Sequence, residues 1–277
     1  MRRKWPVAAG AIPLAFGWAL VAAHPAAAST RAGLPGPGAQ VQPGGPLSPL
    51  SEPGGQLSQS ATGGGQNTSV SSSNWAGYAA TGASGSFTSV SASWTQPTAN
   101  CAAGSQYGAF WVGLDGYTSK TVEQIGTEAD CTGATRKYYA WYEVYPGAGV
   151  NFTNPVSPGD KFTGTVTSQG NDKFQLVLKD TTQGWTQTIS ATQAGADLSS
   201  AEAIAEAPSG TSANASPLPL TDFGSVGFTG VTANGKSMDR LDPVQITMPD
   251  TSVADMASDG SFSVNYTGTG FAQWFGV

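Results

Sequence analysis

The sequence predicts an all-β protein, a two-sheet antiparallel β-sandwich of the concanavalin or jelly-roll type, and three observations support this prediction. Apolar and aromatic residues are concentrated in short segments, and clusters of Gly, Asn, Asp and Pro separate these segments. No long stretch shows a 3.6-residue apolar period, which is the pattern of an amphipathic helix. Many short strands with thin connections are typical of two packed sheets.

Each predicted strand is rich in β-branched and aromatic residues and is bounded by turn residues. In chain order the predicted strands are Phe87–Trp94, Tyr107–Gly113, Thr121–Gly126, Tyr138–Tyr145, Phe162–Thr167, Phe174–Lys179, Trp185–Ser190, Phe223–Phe228, Val244–Met248 and Ser261–Tyr266. Asn234-Gly235 and Asp259-Gly260 are predicted to form hairpin turns, because both residues of each pair tolerate positive φ.

Composition divides the 277-residue chain into three parts. Residues 1–28 have a basic start, an apolar middle and an Ala-Ala-Ala end, which predicts a signal peptide and a secreted, extracellular protein. An uncleaved membrane anchor is the alternative for this segment. Residues 29–70 contain 16 Gly or Pro among 42 residues and no aromatic residue, which predicts a disordered leader or propeptide. Residues 71–277 are predicted to form the β-sandwich domain.

The charge and histidine counts exclude several classes of function. The chain has 12 Lys and Arg against 18 Asp and Glu, and loss of Arg2, Arg3 and Lys4 with the signal peptide changes the net charge from −6 to −9. So acidic a chain is not expected to bind nucleic acid. The single histidine, His24, lies in the predicted signal peptide, which excludes Ser-His-Asp and Cys-His catalysis and histidine zinc sites. We predict no cofactor, no metal site and, after signal cleavage, no membrane association.

Cys101 and Cys131 are the only two cysteines in the chain. An even pair in a secreted protein most simply forms a disulfide, so we predict that they are bonded to each other. On the chain-entropy estimate, closing a loop of this length stabilises the fold by about 3–4 kcal/mol.

Polar residues interrupt the apolar pattern of the strands predicted at 121–126 and 138–145. Period-two alternation places Gln124 beside an apolar residue on one face of its strand, and it places Glu143 in a row with Trp141 and two tyrosines. This pattern fits a sheet edge with a solvated glutamate. It also fits an aromatic cleft with polar groups on its floor, and the strands alone do not decide between the two.

The segment Ala201–Pro208 is ambiguous when it is taken alone. If it is extended, Glu202, Ile204 and Glu206 lie on one face. The same residues also fit a short helix with Glu at i and i+4.

Five segments together resemble a known family. They are Ser73–Gly77 (SNWAG), Phe110–Gly116 (FWVGLDG), Val122–Gly126 (VEQIG), Trp141–Pro146 (WYEVYP) and Ala201–Glu206 (AEAIAE). In content and order they resemble the glutamic peptidases, the eqolisin family, over most of residues 73–230. The resemblance implies two packed antiparallel sheets and an acid-acting endopeptidase.

The resemblance also implies which residues form the site. It places the catalytic glutamine at Gln124 and the catalytic glutamate at Glu206. Residues that bind substrate or support the cleft are expected at Trp75, Trp111, Asp115, Trp141, Tyr142 and Glu143. In this hypothesis, ionised Glu206 takes a proton from a water held between it and Gln124, and the Gln124 amide stabilises the oxyanion. We expect a monomer that cleaves polypeptides, has an acidic pH optimum and is insensitive to pepstatin.

The sequence also fits two other functions. Aromatic rows on a secreted β-sandwich also suit a carbohydrate-binding module or lectin. A glycoside hydrolase using two of Glu123, Glu128, Glu143 and Glu206 is the enzymatic alternative, since that chemistry requires two carboxyl groups about 5–10 Å apart.

Overall fold

The computed structural model describes residues 68–102, 104–210 and 217–268, with the backbone of two short strands at 41–42 and 60–61. Its strands are β1 (Val41–Gln42), β2 (Ser60–Ala61), β3 (Thr68–Ser71), β4 (Trp75–Thr81), β5 (Ser89–Thr95), β6 (Ser105–Gln106), β7 (Ala109–Leu114), β8 (Val122–Thr132), β9 (Thr135–Tyr145), β10 (Val150–Asn151), β11 (Lys161–Gly170), β12 (Lys173–Asp180), β13 (Trp185–Thr192), β14 (Ser200–Glu206), β15 (Ser209–Gly210), β16 (Ser225–Ala233), β17 (Lys236–Ser237), β18 (Val244–Thr247), β19 (Thr251–Val253) and β20 (Phe262–Tyr266). One short 3₁₀ helix, η1 (Met238–Leu241), follows β17. The predicted signal peptide lies outside the described residues, as does most of the predicted leader. Within the described part of the chain, no helix is long and apolar enough to cross a membrane.

The strands form two large sheets, as the sequence predicts. The first sheet has the order β10-β9-β8-β7-β14-β4-β18-β3-β2, with β6 beside β8. The second sheet has the order β13-β12-β11-β5-β16-β20-β19, with β17 beside β16. The strand pairs in both sheets are antiparallel, except that β18 pairs with β3 in parallel. Separately, β1 pairs with β15. The predicted antiparallel β-sandwich is therefore confirmed.

The main core lies between the two sheets. Trp94 and Phe228 of the second sheet are buried there with Phe110 and Val112 of the first sheet. Gly164 on β11 leaves room for this packing, because a Cβ atom at this position would lie 2.8 Å from Val112 and 3.0 Å from the Trp94 ring. Burial of these large apolar side chains is the main force that holds the sheets together.

A long hairpin of β8 and β9 extends from the first sheet and is tied to a neighbouring loop. The two strands stay in register from Val122 opposite Tyr145 to Thr132 opposite Thr135. The predicted disulfide between Cys101 and Cys131 is present near the tip of this hairpin, with the two Cα atoms 5.4 Å apart.

Every predicted strand overlaps an observed one, although several boundaries differ. The ambiguous segment at 201–206 is a strand, because its backbone pairs with β4 on one side and with β7 on the other. The predictions missed β4. Strand β3 of the first sheet starts at Thr68, before the predicted domain start at residue 71, and its Val70 is buried.

One of the two predicted hairpin turns has a different form. Asn234 and Gly235 both have positive φ, 51° and 72°, and join β16 to β17 as predicted. At Asp259-Gly260 only the glycine has a positive φ, 81°. The two-residue hairpin is wrong there, because a longer loop joins β19 to β20 and is closed by a 2.8 Å hydrogen bond from the Gly260 N–H to the Ala257 carbonyl.

Candidate active site

The candidate site lies on the outer face of the first sheet, the face that points away from the second sheet. Side chains on this face form a second apolar cluster of residues that all come from first-sheet strands. We call it the outer cluster: Val70, Trp75, Ala79, Ala109, Trp111, Val122, Trp141, Ile204, Val244 and Ile246. The polar residues of the site lie on this same face among the outer cluster, because strand side chains alternate between the two faces.

Glu206 lies at the end of β14 and is fully buried. The indole N–H of Trp111 donates a hydrogen bond of 2.8 Å to Oε2 of Glu206. The Trp111 ring is held in turn by Trp75, which packs edge to face with a centroid separation of 5.0 Å. A donor that is fixed by packing favours the ionised form of the carboxyl group, which is the form that acts as a base.

Gln124 lies on β8 and is also fully buried. Its side-chain nitrogen donates a hydrogen bond of 2.9 Å to Oε2 of Glu143 on β9, the residue directly opposite it in the sheet. This bond points the NH₂ group of the amide toward Glu143.

Glu143 interacts with both Gln124 and Glu206. Burial raises the pKa of Glu143 well above its ordinary value, and the nearby charge of Glu206 raises it further, while the hydrogen bond from Gln124 works in the opposite direction. Glu143 is therefore a neutral acid over the acidic range, and Glu206 lies close enough to affect its charge.

Two glycines make room for the Trp111 indole. Gly126 lies opposite Trp111 on β8, and a Cβ atom there would collide with the carbonyl oxygen of Phe110 and lie 2.6 Å from the Trp111 Cβ. A Cβ atom at Gly113 would lie 2.9 Å from the Trp111 ring and 3.2 Å from the Gln124 Cβ. The indole therefore depends on a gap in the sheet surface that only glycine leaves open.

Glu128 is a buried carboxyl group of this face to which the resemblance assigns no role. It lies opposite Ala109, and Ala109 lies opposite Glu206, so the two glutamates share one row across the sheet. The signal in the sequence was its spacing, since residues four apart on a strand point to the same face as Gln124. The sequence indicates Glu128 only as a possible glycosidase carboxyl group.

Asp115 supports the site from a distance. It directly follows β7 with φ 69°, and its carboxyl group accepts hydrogen bonds of 2.8–3.0 Å from the backbone N–H groups of residues 197, 198 and 199. These residues lead directly into β14. Asp115 therefore fixes the start of the strand that carries Glu206.

The structure places the remaining predicted residues as follows. Trp141 is fully buried in the outer cluster and lies opposite Gly126. Trp75 is fully buried as well. Tyr142 does not join the site, because it alternates with its neighbours and stacks on Phe152 on the opposite face, with ring centroids 5.7 Å apart. Its assignment as a substrate-binding or supporting residue stays a prediction.

The site chemistry is that of carboxyl, amide and indole groups. Among the described residues, no group of three or more His, Cys, Asp and Glu side chains has a geometry that could hold a metal ion. The arrangement offers a buried carboxyl group at Glu206, an amide at Gln124 and a carboxyl group of raised pKa at Glu143. Such a set can activate a water molecule and stabilise a developing negative charge.

Comparisons with known proteins give a consistent result. Residues 73–270 match the sequence model of the Peptidase A4 family. The chain is similar to scytalido-glutamic peptidase solved with a transition state analog inhibitor, with 29% identity, a TM-score of 0.60, and coverage of 70% of this chain and 98% of that chain. It is also similar to SCP-B, a member of the Eqolisin family solved with the tripeptide Ala-Ile-His, with 28% identity, a TM-score of 0.57 and the same coverage. No curated protein sequence matches the chain.

Proposed function

Because this chain belongs to the peptidase A4 family, we propose that it is a glutamic endopeptidase that hydrolyses polypeptides in acid, with Gln124 and Glu206 as the catalytic pair. The observation that carries the proposal is the buried Glu206 carboxyl group, which the Trp111 indole N–H holds at 2.8 Å on the same sheet face as the oriented Gln124 amide.

In the proposed reaction, ionised Glu206 removes a proton from a water molecule, which attacks the carbonyl carbon of the scissile peptide bond. The Gln124 NH₂ group carries two hydrogens. One is used by Glu143 in this structure, and the other donates to the carbonyl oxygen as negative charge develops on it. Protonated Glu206 then gives its proton to the departing nitrogen, the C–N bond breaks, and Glu206 is ionised again.

The proposed acidic optimum follows from the types of residue in the site. A carboxyl group with an unperturbed pKa of about 4.3 is suited to this cycle of taking up and returning a proton in acid. Glu143 stays neutral there, because burial and the Glu206 charge raise its pKa. No second full negative charge then competes with the one on Glu206. Pepstatin insensitivity belongs to the same proposal, because the pair is not two aspartates.

The sequence features outside the described residues complete the proposal. We infer a secreted, monomeric enzyme that is made with a signal peptide at 1–28 and a leader at 29–70, and that uses no cofactor. N-terminal sequencing of the enzyme recovered from culture medium tests both processing sites. A mature chain that begins within a few residues of 71 is expected, and one that retains residue 29 would contradict the leader.

Glu206→Gln is the direct test of the catalytic base. The substitution keeps the shape of the side chain but removes its basicity, so hydrolysis of acid-denatured casein should fall to the background rate between pH 2 and 7. Glu202→Gln is the matched control, because it makes the same change on the same strand at a carboxyl group whose pKa burial already raises well above its ordinary value. Retained activity in Glu206→Gln would contradict the assignment.

Gln124→Ala tests the oxyanion role separately. Loss of an oxyanion donor should lower kcat about 10²–10³-fold with a smaller change in KM. A loss below tenfold would move this role to another group. Both variants should be assayed with pepstatin present, because inhibition of the wild type would contradict the pair.

The family match favours this function over the two alternatives from the sequence. The outer face does hold several carboxyl groups near one another, so its geometry alone also suits a glycoside hydrolase. That mechanism has no use for an oriented amide at Gln124. A carbohydrate-binding module needs no buried base at all.

A further inference from the structure

The loop that joins β7 to β8, residues 115–121, folds back onto the outer face of the first sheet. We call it the reversal loop. Asp115 and Gly116 have positive φ angles of 69° and 101°, which turn the chain directly after β7. The backbone of Gly116 then lies against Trp75 and Val122 of the outer cluster. A Cβ atom at Gly116 would lie 3.0 Å from Cη2 of Trp75 and 2.5 Å from Cγ2 of Val122.

Hydrogen bonds hold the reversal loop in this position. The Asp115 N–H donates to the Ser200 carbonyl at 3.0 Å, which ties the loop to the start of β14. Within the loop, the Gly116 N–H donates to the Ser119 hydroxyl at 2.8 Å. The Ser119 hydroxyl donates in turn to the Thr121 carbonyl at 3.1 Å. The loop is therefore fixed both to itself and to the strand that carries the proposed base.

Tyr117 is the large side chain that the reversal loop adds to this face. It is half-buried and packs against the outer cluster. Trp75, which the loop touches, packs edge to face on Trp111 with a centroid separation of 5.0 Å, and the Trp111 N–H donates to Glu206 at 2.8 Å. Two indole rings therefore link the loop to the proposed base, and Tyr117 lies at the border of the site.

Tyr117 and Tyr145 form a half-buried edge of the outer cluster, whose own members are all buried. Tyr145 lies opposite Val122 in the sheet, and Gly116 of the loop touches the same valine. Burial raises the pKa of the Tyr117 hydroxyl above its ordinary value, so this group stays uncharged in acid. An uncharged aromatic edge suits a large apolar side chain, whereas a charged one would lose hydration there.

The position of Gln124 indicates which part of a substrate meets this edge. Val122, which the loop touches, lies two residues before Gln124 on the same face of β8. In the proposed reaction Gln124 donates to the oxygen of the attacked carbonyl group, whereas the departing nitrogen receives its proton from Glu206. The attacked carbonyl group belongs to the residue on the N-terminal side of the scissile bond. The side chain of that residue is therefore the one nearest the reversal loop.

We propose that Tyr117 is a specificity-determining residue: its ring contacts the side chain on the N-terminal side of the scissile bond and selects a large apolar or aromatic residue there. This inference rests on the proposed function, to which it adds a substrate preference. The reversal loop supplies the rigidity that such a preference requires, because a fixed ring loses little conformational entropy when a substrate binds.

Tyr117→Ala tests the proposal on three peptides that differ only in the residue before the scissile bond, which is Phe, Leu or Ala. Wild type should cleave the Phe and Leu peptides with a kcat/KM about tenfold or more above that of the Ala peptide. In Tyr117→Ala this ratio should fall to about threefold or less, while the kcat/KM of the Ala peptide stays within about threefold of wild type. A merely structural defect would lower all three values by one factor and leave the ratio unchanged.

Two further variants serve as controls. Tyr117→Phe keeps the ring and removes only the hydroxyl group, so it should keep the preference for large residues within about twofold of wild type. Tyr266→Ala removes a half-buried tyrosine of the second sheet, where its ring packs against Phe223. It should leave the ratio unchanged even if it lowers the temperature of thermal unfolding.

The outcomes separate this inference from the proposed function, because Glu206→Gln is assayed on the same peptides. If wild type cleaves them and Glu206→Gln does not, the proposed function stands whatever Tyr117 does. An unchanged ratio in Tyr117→Ala, or a wild type that cleaves the Ala peptide as fast as the Phe peptide, would overturn the role of Tyr117. If Tyr117→Ala does not fold, Tyr117→Leu decides, because it keeps an apolar contact with the outer cluster but removes the ring. An unchanged ratio of Phe to Ala in that variant would also overturn the role.

Discussion

The two sheets of this sandwich differ in how they treat their polar residues. In the second sheet, β11, β12 and β13 alternate between more and less exposed positions, and Lys161, Lys173 and Lys179 all occupy exposed ones. In the first sheet, every residue of β7 and β14 is buried, and so is every residue of β8 except Thr132. The second sheet has a solvated face, whereas β7, β8 and β14 in the middle of the first sheet are buried on both faces.

The polar residues on the exposed face of the second sheet interact with water. The polar residues that are buried on the first sheet must have another role. A lysine on the solvated face keeps its hydration, so its placement there costs little folding free energy. A carboxyl group buried on the first sheet loses its hydration, which destabilises the fold unless a partner or a proton compensates. The first sheet buries five glutamates: Glu123, Glu128, Glu143, Glu202 and Glu206. So many costly groups on one sheet are typical of a functional site.

The largest expected difference in stability is between alanine substitutions at two glycines, one in each sheet. In Gly126→Ala the new methyl group meets the Phe110 carbonyl oxygen and the Trp111 Cβ, and backbone atoms cannot move away as a side chain can. We expect a loss of more than about 3 kcal/mol of folding free energy together with lost activity, because Trp111 must shift. Gly227→Ala on β16 meets no atom within 4 Å and should change stability by less than about 1 kcal/mol, in the stabilising direction. Urea unfolding of both variants measures this, and equal losses would contradict the difference between the sheets.

The pH dependence of stability is the next largest expected effect. Burial, and then the charge of Asp115, raise the pKa of Glu123 to about 8. A raised carboxyl pKa means that the folded state holds its proton more tightly, so stability is highest below the unfolded pKa and falls as the pH rises toward 8. Glu123→Gln should match wild type at pH 4 and be more stable by about 3 kcal/mol at pH 7.

Asp255→Asn is the control for the lost charge, because it removes a carboxylate from an exposed position. This variant should remain within about 0.5 kcal/mol of wild type at both pH values. A wild-type protein that is equally stable at pH 4 and pH 7 would contradict the assignment of a neutral, buried Glu123.

The same contrast explains which parts of the structure could be predicted from the sequence. The β11 and β12 strands were readily recognised, because one face is apolar and the other meets water, which produces period-two alternation. The β4 strand was missed, because both of its faces are buried and small residues fill it, so the alternation disappears. The β14 strand was ambiguous for a related reason: Ala and Glu favour helices, and only pairing with β4 and β7 makes the segment a strand.

The site could be predicted only in part for similar reasons. Alternation along a strand predicted that Gln124 and Ile125 lie on opposite faces of the sheet, and likewise Glu143 and Tyr142, as the structure has them. The row shared by Glu128 and Glu206 could not be predicted, because it depends on the register of two strands with β7 between them. Register between strands that are distant in sequence is a tertiary property.

The smallest expected effect separates the roles of two tryptophans. The Trp111 N–H donates to the Glu206 carboxyl group at 2.8 Å, whereas the Trp94 N–H, from the second sheet, donates to the Thr127 hydroxyl at 2.9 Å. Bonds to charged groups are the stronger, so Trp111→Phe should lower kcat/KM about 10- to 100-fold and move the acid limb of the pH profile to higher pH. Trp94→Phe should cost about 1–2 kcal/mol of folding free energy and leave kcat/KM within about twofold. Equal losses of activity in both variants would mean that the two buried faces of the first sheet do not differ in function. That result would contradict the placement of the active site on the outer face.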